Sequence, residues 1–143
     1  MPTVAEVAVR PVEAQDVEAV QRVWGAAGVG RATPDELEAL LSNQTTAILV
    51  AEDGSGIVGA AIASFDGWRA YIYHVAVDSA ARGRGIASRL MEEAEHYLIS
   101  AGARYVYVMV SEESADGLAL VASAGYLPEG ERVFVKRMAT RVA

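Results

Sequence analysis

Between positions 82 and 87 the chain reads Arg82-Gly83-Arg84-Gly85-Ile86-Ala87, immediately before the most regular helical pattern in the sequence. Gly83 and Gly85 carry no side chain that would hold a ligand away from the backbone. Amide N–H groups at the first turn of the following helix would then point outward, at the positive end of the helix dipole. Such a turn is an anion site suited to a pyrophosphate. Arg82 and Arg84, with Arg89 one turn along, concentrate positive charge there in an otherwise acidic chain. The competing reading is a tight strand-to-helix turn whose arginines coat a solvated face. A P-loop is excluded, because no Gly-x-x-x-x-Gly-Lys-Ser/Thr occurs, and a dinucleotide fingerprint fails because its third glycine would fall on Ser88.

Groups able to move a proton lie just upstream. Tyr71 and Tyr73 are two residues apart and share one face of any regular strand. His74 points to the opposite face unless a bulge turns it. His96 lies on the long helix, where a surface or packing role is expected. Glu112 and Glu113 follow the next strand and read as a solvated loop, although a carboxylate there could bind a cationic substrate. Cysteine is absent and only two histidines occur, so neither a thiolate nucleophile nor a metal site is expected. Trp24 reads as a core residue on a helix face, and Trp68 as exposed near a substrate entrance.

The elements that must position these groups follow from hydrophobic periodicity. Val4, Val7 and Val9 mark a first strand that Pro11 ends. Glu13 to Ala26 is helical, with Val17, Val20, Val23 and Trp24 on one stripe. The Gly25 to Arg31 segment breaks that helix and is expected to be mobile. Thr33-Pro34-Asp35-Glu36 starts a second helix, with Leu37, Leu40 and Leu41 as its buried face. Thr46 to Glu52, Ile57 to Phe65 and Arg69 to Val77 form a three-strand meander with turns at Asp53-Gly54-Ser55-Gly56 and Asp66-Gly67. Ile86 to Ser100 is the strongest helix, capped by Gly102. Arg104 to Val110 is a strand, Ser114 to Ala124 a weaker helix, and Tyr126 to Leu127 and Glu131 to Met138 closing strands. The expected fold is α/β, in the order β-α-α-β-β-β-α-β-α-β-β, with a mixed, mostly antiparallel sheet and helices on both faces.

Length and composition bound the function. The 143 residues are 52% hydrophobic and 22% charged, enough for one packed domain spanning 1–143 and too apolar for disorder. A formal net charge of −7 argues against nucleic acid as a partner and suits a cationic one. No signal-peptide pattern and no run approaching a membrane span occurs, so a cytoplasmic protein without a membrane partner is expected.

With these elements in place, Arg82-x-x-Gly85-x-Ala87 resembles the Arg/Gln-x-x-Gly-x-Gly/Ala acetyl-CoA signature of the GCN5-related N-acetyltransferase (GNAT) family. The preceding Val75-Ala76-Val77-Asp78, the helix that follows and the element order fit too. The resemblance runs from about Val7 to Met138 and is strongest over 69–138. The segments GWRAYIYHVAVD and RYVYVMV look most like small bacterial acetyltransferases related to the ribosomal-protein alanine acetyltransferases. The resemblance implies acetyl-CoA as co-substrate, no metal, and transfer to a primary amine in a ternary complex. That acceptor could be a protein N-terminus, a lysine, a polyamine or a small amine.

It further implies that backbone groups of Val75 and Val77 pair with the pantetheine arm, one amide stabilising the oxyanion. Backbone amides of Arg82, Gly83, Arg84, Gly85, Ile86 and Ala87, with the Ser88 hydroxyl, would hold the pyrophosphate. Ser114 stands where the family often has an asparagine. The family's catalytic base falls on Tyr71, with Tyr73 beside it, and its tyrosine acid falls on Val121, which has no proton to give. The alternative is a non-catalytic acyl-CoA-binding sensor or regulatory module. Terminal strands could pair between two copies in a homodimer.

Overall fold

A computed structural model describes residues 6–139. Strand β1 (Ala8–Pro11) leads through a single 3-10 turn into α1 (Val17–Ala26), then α2 (Pro34–Ser42). Strands β2 (Thr46–Asp53), β3 (Gly56–Phe65) and β4 (Ala70–Val77) follow, then α3 (Ile86–Ala101), β5 (Val106–Val108) and α4 (Ala115–Ser123). The strand order in the sheet is the order along the chain: β1 to β4 pair antiparallel, and β5 joins β4 in parallel. The short turns of the meander force the antiparallel pairs, and the α3 crossover permits the parallel one.

Two cores flank the sheet. On one face α3 packs Ile86, Leu90, Met91, Ala94 and Leu98 against Leu49, Ala61, Ala63 and Ile72. On the other, α1 presents Val20, Val23 and Trp24 to Ile48, Val50, Ile57 and Ile62. Helix α2 adds Leu37 and Leu40, both partly buried. Strand β3 is the hinge of both layers and is buried from Ile57 to Ala63. Its small residues bring α3 close: a Cβ on Gly59 would stand 3.0 Å from Leu90 Cδ1 and 3.1 Å from the Ala76 carbonyl oxygen.

Helix starts follow the sequence signals. Thr33 accepts from the Glu36 amide while Glu36 accepts from the Thr33 amide, a reciprocal cap on α2. Gly102, at φ 104°, closes α3 in the left-handed conformation.

Several expectations are corrected. Val4 lies outside the described residues, and β1 begins at Ala8. Residues 14–16 form a 3-10 turn rather than the first turn of α1. Leu41 is exposed rather than part of the buried face. Strand β5 is limited to Val106–Val108, because its last partner is Ile72 and β4 bends away beyond that point. The closing strands over 126–127 and 131–138 do not form among the described residues. Their alternation is present in the sequence, but a strand exists only when another strand supplies its hydrogen bonds, and 131–138 lies exposed without one.

Candidate active site

The bend in β4 is the centre of the site. Ala60 faces Ala76, but Ile62 faces Tyr73, so β4 carries one more residue than β3 across this stretch. That is a β-bulge, and His74 sits in it at φ +52°, an unusual conformation for a residue with a side chain. Trp24 holds it there: the indole Nε1–H, on a fully buried side chain, donates to the His74 carbonyl at 2.9 Å. The Trp24 and His74 rings meet edge-on at 5.3 Å, and the His74 and Tyr73 rings at 5.6 Å.

The bulge has two consequences. It shifts the side-chain alternation. Ala70 and Ile72 face the α3 core before it, and Val75 and Val77 face the same core after it. Tyr71 and Tyr73 lie on the opposite face, and the turned His74 ring joins Tyr73 against Trp24 of α1. The bulge also parts β4 from β5. The last pair is Ile72 with Val108, so Tyr73 to Val77 have no strand neighbour on that side among the described residues. An extended ligand can complete the ladder there with main-chain hydrogen bonds.

This open edge runs into the glycine turn. A single cleft of about 470 Å³ is lined by Val75 to Val77, by Arg82, Gly83, Gly85, Ile86, Ala87 and Ser88, and by Ser114, Asp116, Gly117 and Leu120 opposite. Ala27 and Val29, from the segment between α1 and α2, close its other end. Gly83 and Gly85 both adopt positive φ, 79° and 73°. Gly85 is the N-cap of α3 and supplies no side-chain acceptor, so no cap side chain occupies the first-turn amides that point toward the cleft. The Ser114 oxygen accepts from the Gly117 amide at 3.1 Å, capping α4. Its own O–H can still donate into the cleft.

The three arginines of the turn separate. Arg82 lines the cleft, and its guanidinium reaches Asp116 at 3.4 Å across the mouth, with both side chains exposed. Arg84 turns the other way, pairing with Asp53 of the β2–β3 turn at 2.9 Å. The Asp53 carboxylate is 4% exposed, and the Nε and Nη2 of Arg84 are buried without a partner. Hydrogen bonds from Ser55, then from Arg84, hold the Asp53 carboxyl down at about 2. Arg89 donates to the Val7 carbonyl. The cationic patch expected from three arginines is therefore reduced to Arg82 and the amides.

On the acceptor side, Tyr71 stacks at a tilt on Tyr107, with ring centroids 5.5 Å apart. The Arg69 guanidinium lies 5.6 Å from the Tyr107 ring centroid and 5.9 Å from that of Trp68. Contact with Tyr71 is the main cause that raises the Arg69 pKa. Burial raises the Tyr73 phenol, so it stays neutral at physiological pH. Trp68 is exposed as expected. His96 lies on the outer surface of α3 near Glu93, away from the cleft, and Glu112 and Glu113 are exposed in the loop after β5. Asp116 and the clamping role of Trp24 escaped the sequence reading. Asp116 carried no motif, and Trp24 was read for packing alone.

Among the described residues no group of three or more His, Cys, Asp or Glu side chains could hold a metal, and no helix is long and apolar enough to cross a membrane. The residues present fit the CoA part of acetyl-CoA. The open β4 edge suits an amide-bearing arm, and the turn suits a pyrophosphate.

Comparison with known proteins agrees with this geometry. Residues 15–126 match the model of the acetyltransferase (GNAT) family. An acetyltransferase of Pectobacterium atrosepticum is 33% identical over 109 residues, covering 74% of this chain and 77% of that protein. Among solved structures, a predicted acetyltransferase of Clostridium acetobutylicum, crystallised with acetyl-CoA, aligns with a TM-score of 0.72 at 15% identity. The alignment covers 91% of this chain and 96% of that one. The ribosomal-protein-S18-alanine N-acetyltransferase of Escherichia coli aligns at 0.73 with 18% identity, over 83% of this chain and 76% of that one. The chain belongs to the GNAT acetyltransferase family. It is by family an acetyltransferase, and these solved structures share its fold.

Proposed function

We propose that the protein transfers the acetyl group of acetyl-CoA directly to a primary amine, with both substrates bound at once in a single domain. The observation that carries this reading is the continuity of the open β4 edge with the Gly83–Ala87 turn in one cleft. Acetyl-CoA, when bound, supplies an activated acyl thioester. Amides of residues 82–87 and the Ser88 hydroxyl hold its pyrophosphate, and Arg82 adds a charge-assisted contact. Val75 and Val77 align the arm along β4, and one of their amides stabilises the charge that develops on the thioester oxygen.

The amine enters from the opposite face, where Tyr71, Tyr73 and His74 converge. Nitrogen forms the new bond to the acyl carbon, the carbon–sulfur bond breaks, and its electron pair leaves on sulfur. The amine proton leaves to water, with the Tyr71 and Tyr73 hydroxyls relaying it by accepting one proton as each gives up its own. His74 is a further acceptor that the bulge delivers to the same face. Val121 offers no proton, so the thiolate takes one from solvent. The net charge of −7 favours a cationic acceptor by long-range attraction. A cytoplasmic setting is part of the same proposal.

The test is thiol release from acetyl-CoA against a panel of cationic small amines, polyamines, lysine peptides and peptides with free N-termini. At least one amine should give turnover. Tyr71→Phe should then lower kcat by about 10²–10⁴-fold while leaving acetyl-CoA affinity unchanged. Binding of acetyl-CoA with no turnover on any amine would favour a sensor instead.

A further inference from the structure

The acceptor side of the sheet holds a cation that the transfer chemistry does not use. Asp66 closes the turn before β4. Its Oδ1 accepts the amides of Trp68 and Arg69, each at 2.8 Å, and its own amide donates to the Arg69 carbonyl at 3.2 Å. That turn fixes where Arg69 leaves the backbone. Arg69 and Tyr71 are two residues apart and share one face of β4, and Tyr71 is paired with Tyr107 across the strands. The Arg69 guanidinium rests against two rings, 5.6 Å from the Tyr107 centroid and 5.9 Å from that of Trp68, a side chain 80% exposed.

This cation is held but not neutralised. Among the described residues no carboxylate forms an ion pair with it: Asp66 is occupied by backbone amides, and Glu131 is the weakest of the influences on the guanidinium. Ring contacts leave the edge of a guanidinium free, and its N–H fork matches two oxygens of a carboxylate or phosphate. Arg69 is exposed, so a ligand can reach that edge. Distance sets the size of the ligand. The guanidinium reaches Tyr71, and Tyr73 and the bulged His74 are two and three residues further along β4. At about 3.3 Å per residue the cation stands about 7–10 Å from the transfer point, the span of two or three extended peptide units. An α-amino acid, whose carboxylate adjoins its amine, is too short to engage both.

We propose that Arg69 determines acceptor specificity by binding a carboxylate or phosphate oxyanion carried about 7–10 Å from the amine that is acetylated. The acceptor is then a small zwitterion rather than a plain polycation. This rests on the amine transfer inferred above and assigns the far end of the same acceptor. The charges act at different ranges. The net −7 of the chain draws in the ammonium end over long range, and the local cation fixes orientation by contact. Trp68 and Tyr107 preorganise the guanidinium, so less side-chain freedom is lost on binding.

Thiol release from acetyl-CoA is measured with matched acceptors: di- and tripeptides ending in a free carboxylate, the same peptides ending in an amide, and an aminoalkyl phosphate of similar length. In the wild type the carboxylate or the phosphate should exceed the amide by about 10-fold or more in kcat/KM, and whichever leads identifies the oxyanion. Arg69→Gln should abolish that preference, and Arg69→Lys, which keeps the charge and loses the fork, should retain only part of it. A residue that only supports Tyr71 or the turn would lower all acceptors alike and leave the preference intact. Equal rates for all three acceptors in the wild type overturn the proposal, as does a preference that survives Arg69→Gln. If no amine is turned over, the transfer reading fails by itself and the Arg69 site is read from binding. The tripeptide acid should then change the fluorescence of the exposed Trp68 saturably in the wild type and not in Arg69→Gln. Wild-type fluorescence that does not change, or that changes equally in both proteins, overturns the oxyanion site as well.

Discussion

Arg82 and Arg84 are two residues apart and look alike in the sequence, yet the structure gives them opposite work. Arg82→Ala removes the one guanidinium of the turn that lines the cleft. A charge-assisted hydrogen bond to a phosphate is worth about 1.5–3 kcal/mol. Binding must first release Arg82 from Asp116, an exposed pair at 3.4 Å, and such pairs contribute about 0–1 kcal/mol. The net loss is about 1–2 kcal/mol, or an acetyl-CoA affinity about 5- to 30-fold weaker, with little change in Tm. Asp116→Asn should move affinity the other way, by up to about 5-fold, since it frees Arg82 without removing it. Arg84→Ala should leave affinity within about 2-fold and instead lower Tm, because it strips the cation from an almost fully buried Asp53 carboxylate. Isothermal titration with acetyl-CoA and thermal unfolding of the four proteins separate the two roles. Equal affinity losses for Arg82→Ala and Arg84→Ala would refute the assignment.

Three further outcomes follow from named contacts. Trp24→Phe removes the hydrogen bond, worth about 0.5–1.5 kcal/mol, that offsets a left-handed His74 costing about 1–2 kcal/mol. Its acetyl-CoA Kd should rise, whereas Val23→Ala, equally buried on α1, should lower stability and leave Kd alone; parallel shifts in both variants would remove the clamp role. Asp53 has its carboxyl lowered from 3.8 to about 2. Its contribution is therefore complete above about pH 4 and is lost as pH falls from 3.8 through about 2. The stability gap between wild type and Asp53→Asn, measured by denaturant unfolding, should shrink across that window, and a constant gap would contradict the pairing. Gly59→Ala forces a methyl against Leu90 and the Ala76 carbonyl and should cost about 1–3 kcal/mol, read as a lower denaturation midpoint; an unchanged midpoint would show that α3 can retreat.

What the sequence disclosed divides along physical lines. Elements fixed by local signals were legible: the Thr33 cap, the Gly102 stop, the meander turns and the glycine turn before α3. The pocket-lining set Val75, Val77, Arg82, Gly83, Gly85 to Ser88 and Ser114 is likewise gathered in one cleft. Features that depend on distant partners were not legible. Arg84 finds Asp53 thirty-one positions away, and Arg89 finds Val7 across eighty-two. Neither pairing leaves a mark in the local pattern. The bulge at His74 has no glycine or proline to announce it, because it is held by Trp24, fifty residues earlier. Segment 131–138 alternates as a strand should, but alternation records which faces want burial and not which strand will supply the ladder.

The most direct test of the central claim is a calorimetric titration of acetyl-CoA into the purified wild type and into Gly85→Glu. At Gly85 the φ of 73° strains any side chain, and a glutamate there would set a negative charge against the first-turn amides of α3. The account predicts saturable binding at one site per chain for the wild type, and none for a Gly85→Glu protein whose circular dichroism matches it. A folded wild type that does not bind, or a variant that binds equally well, would contradict it.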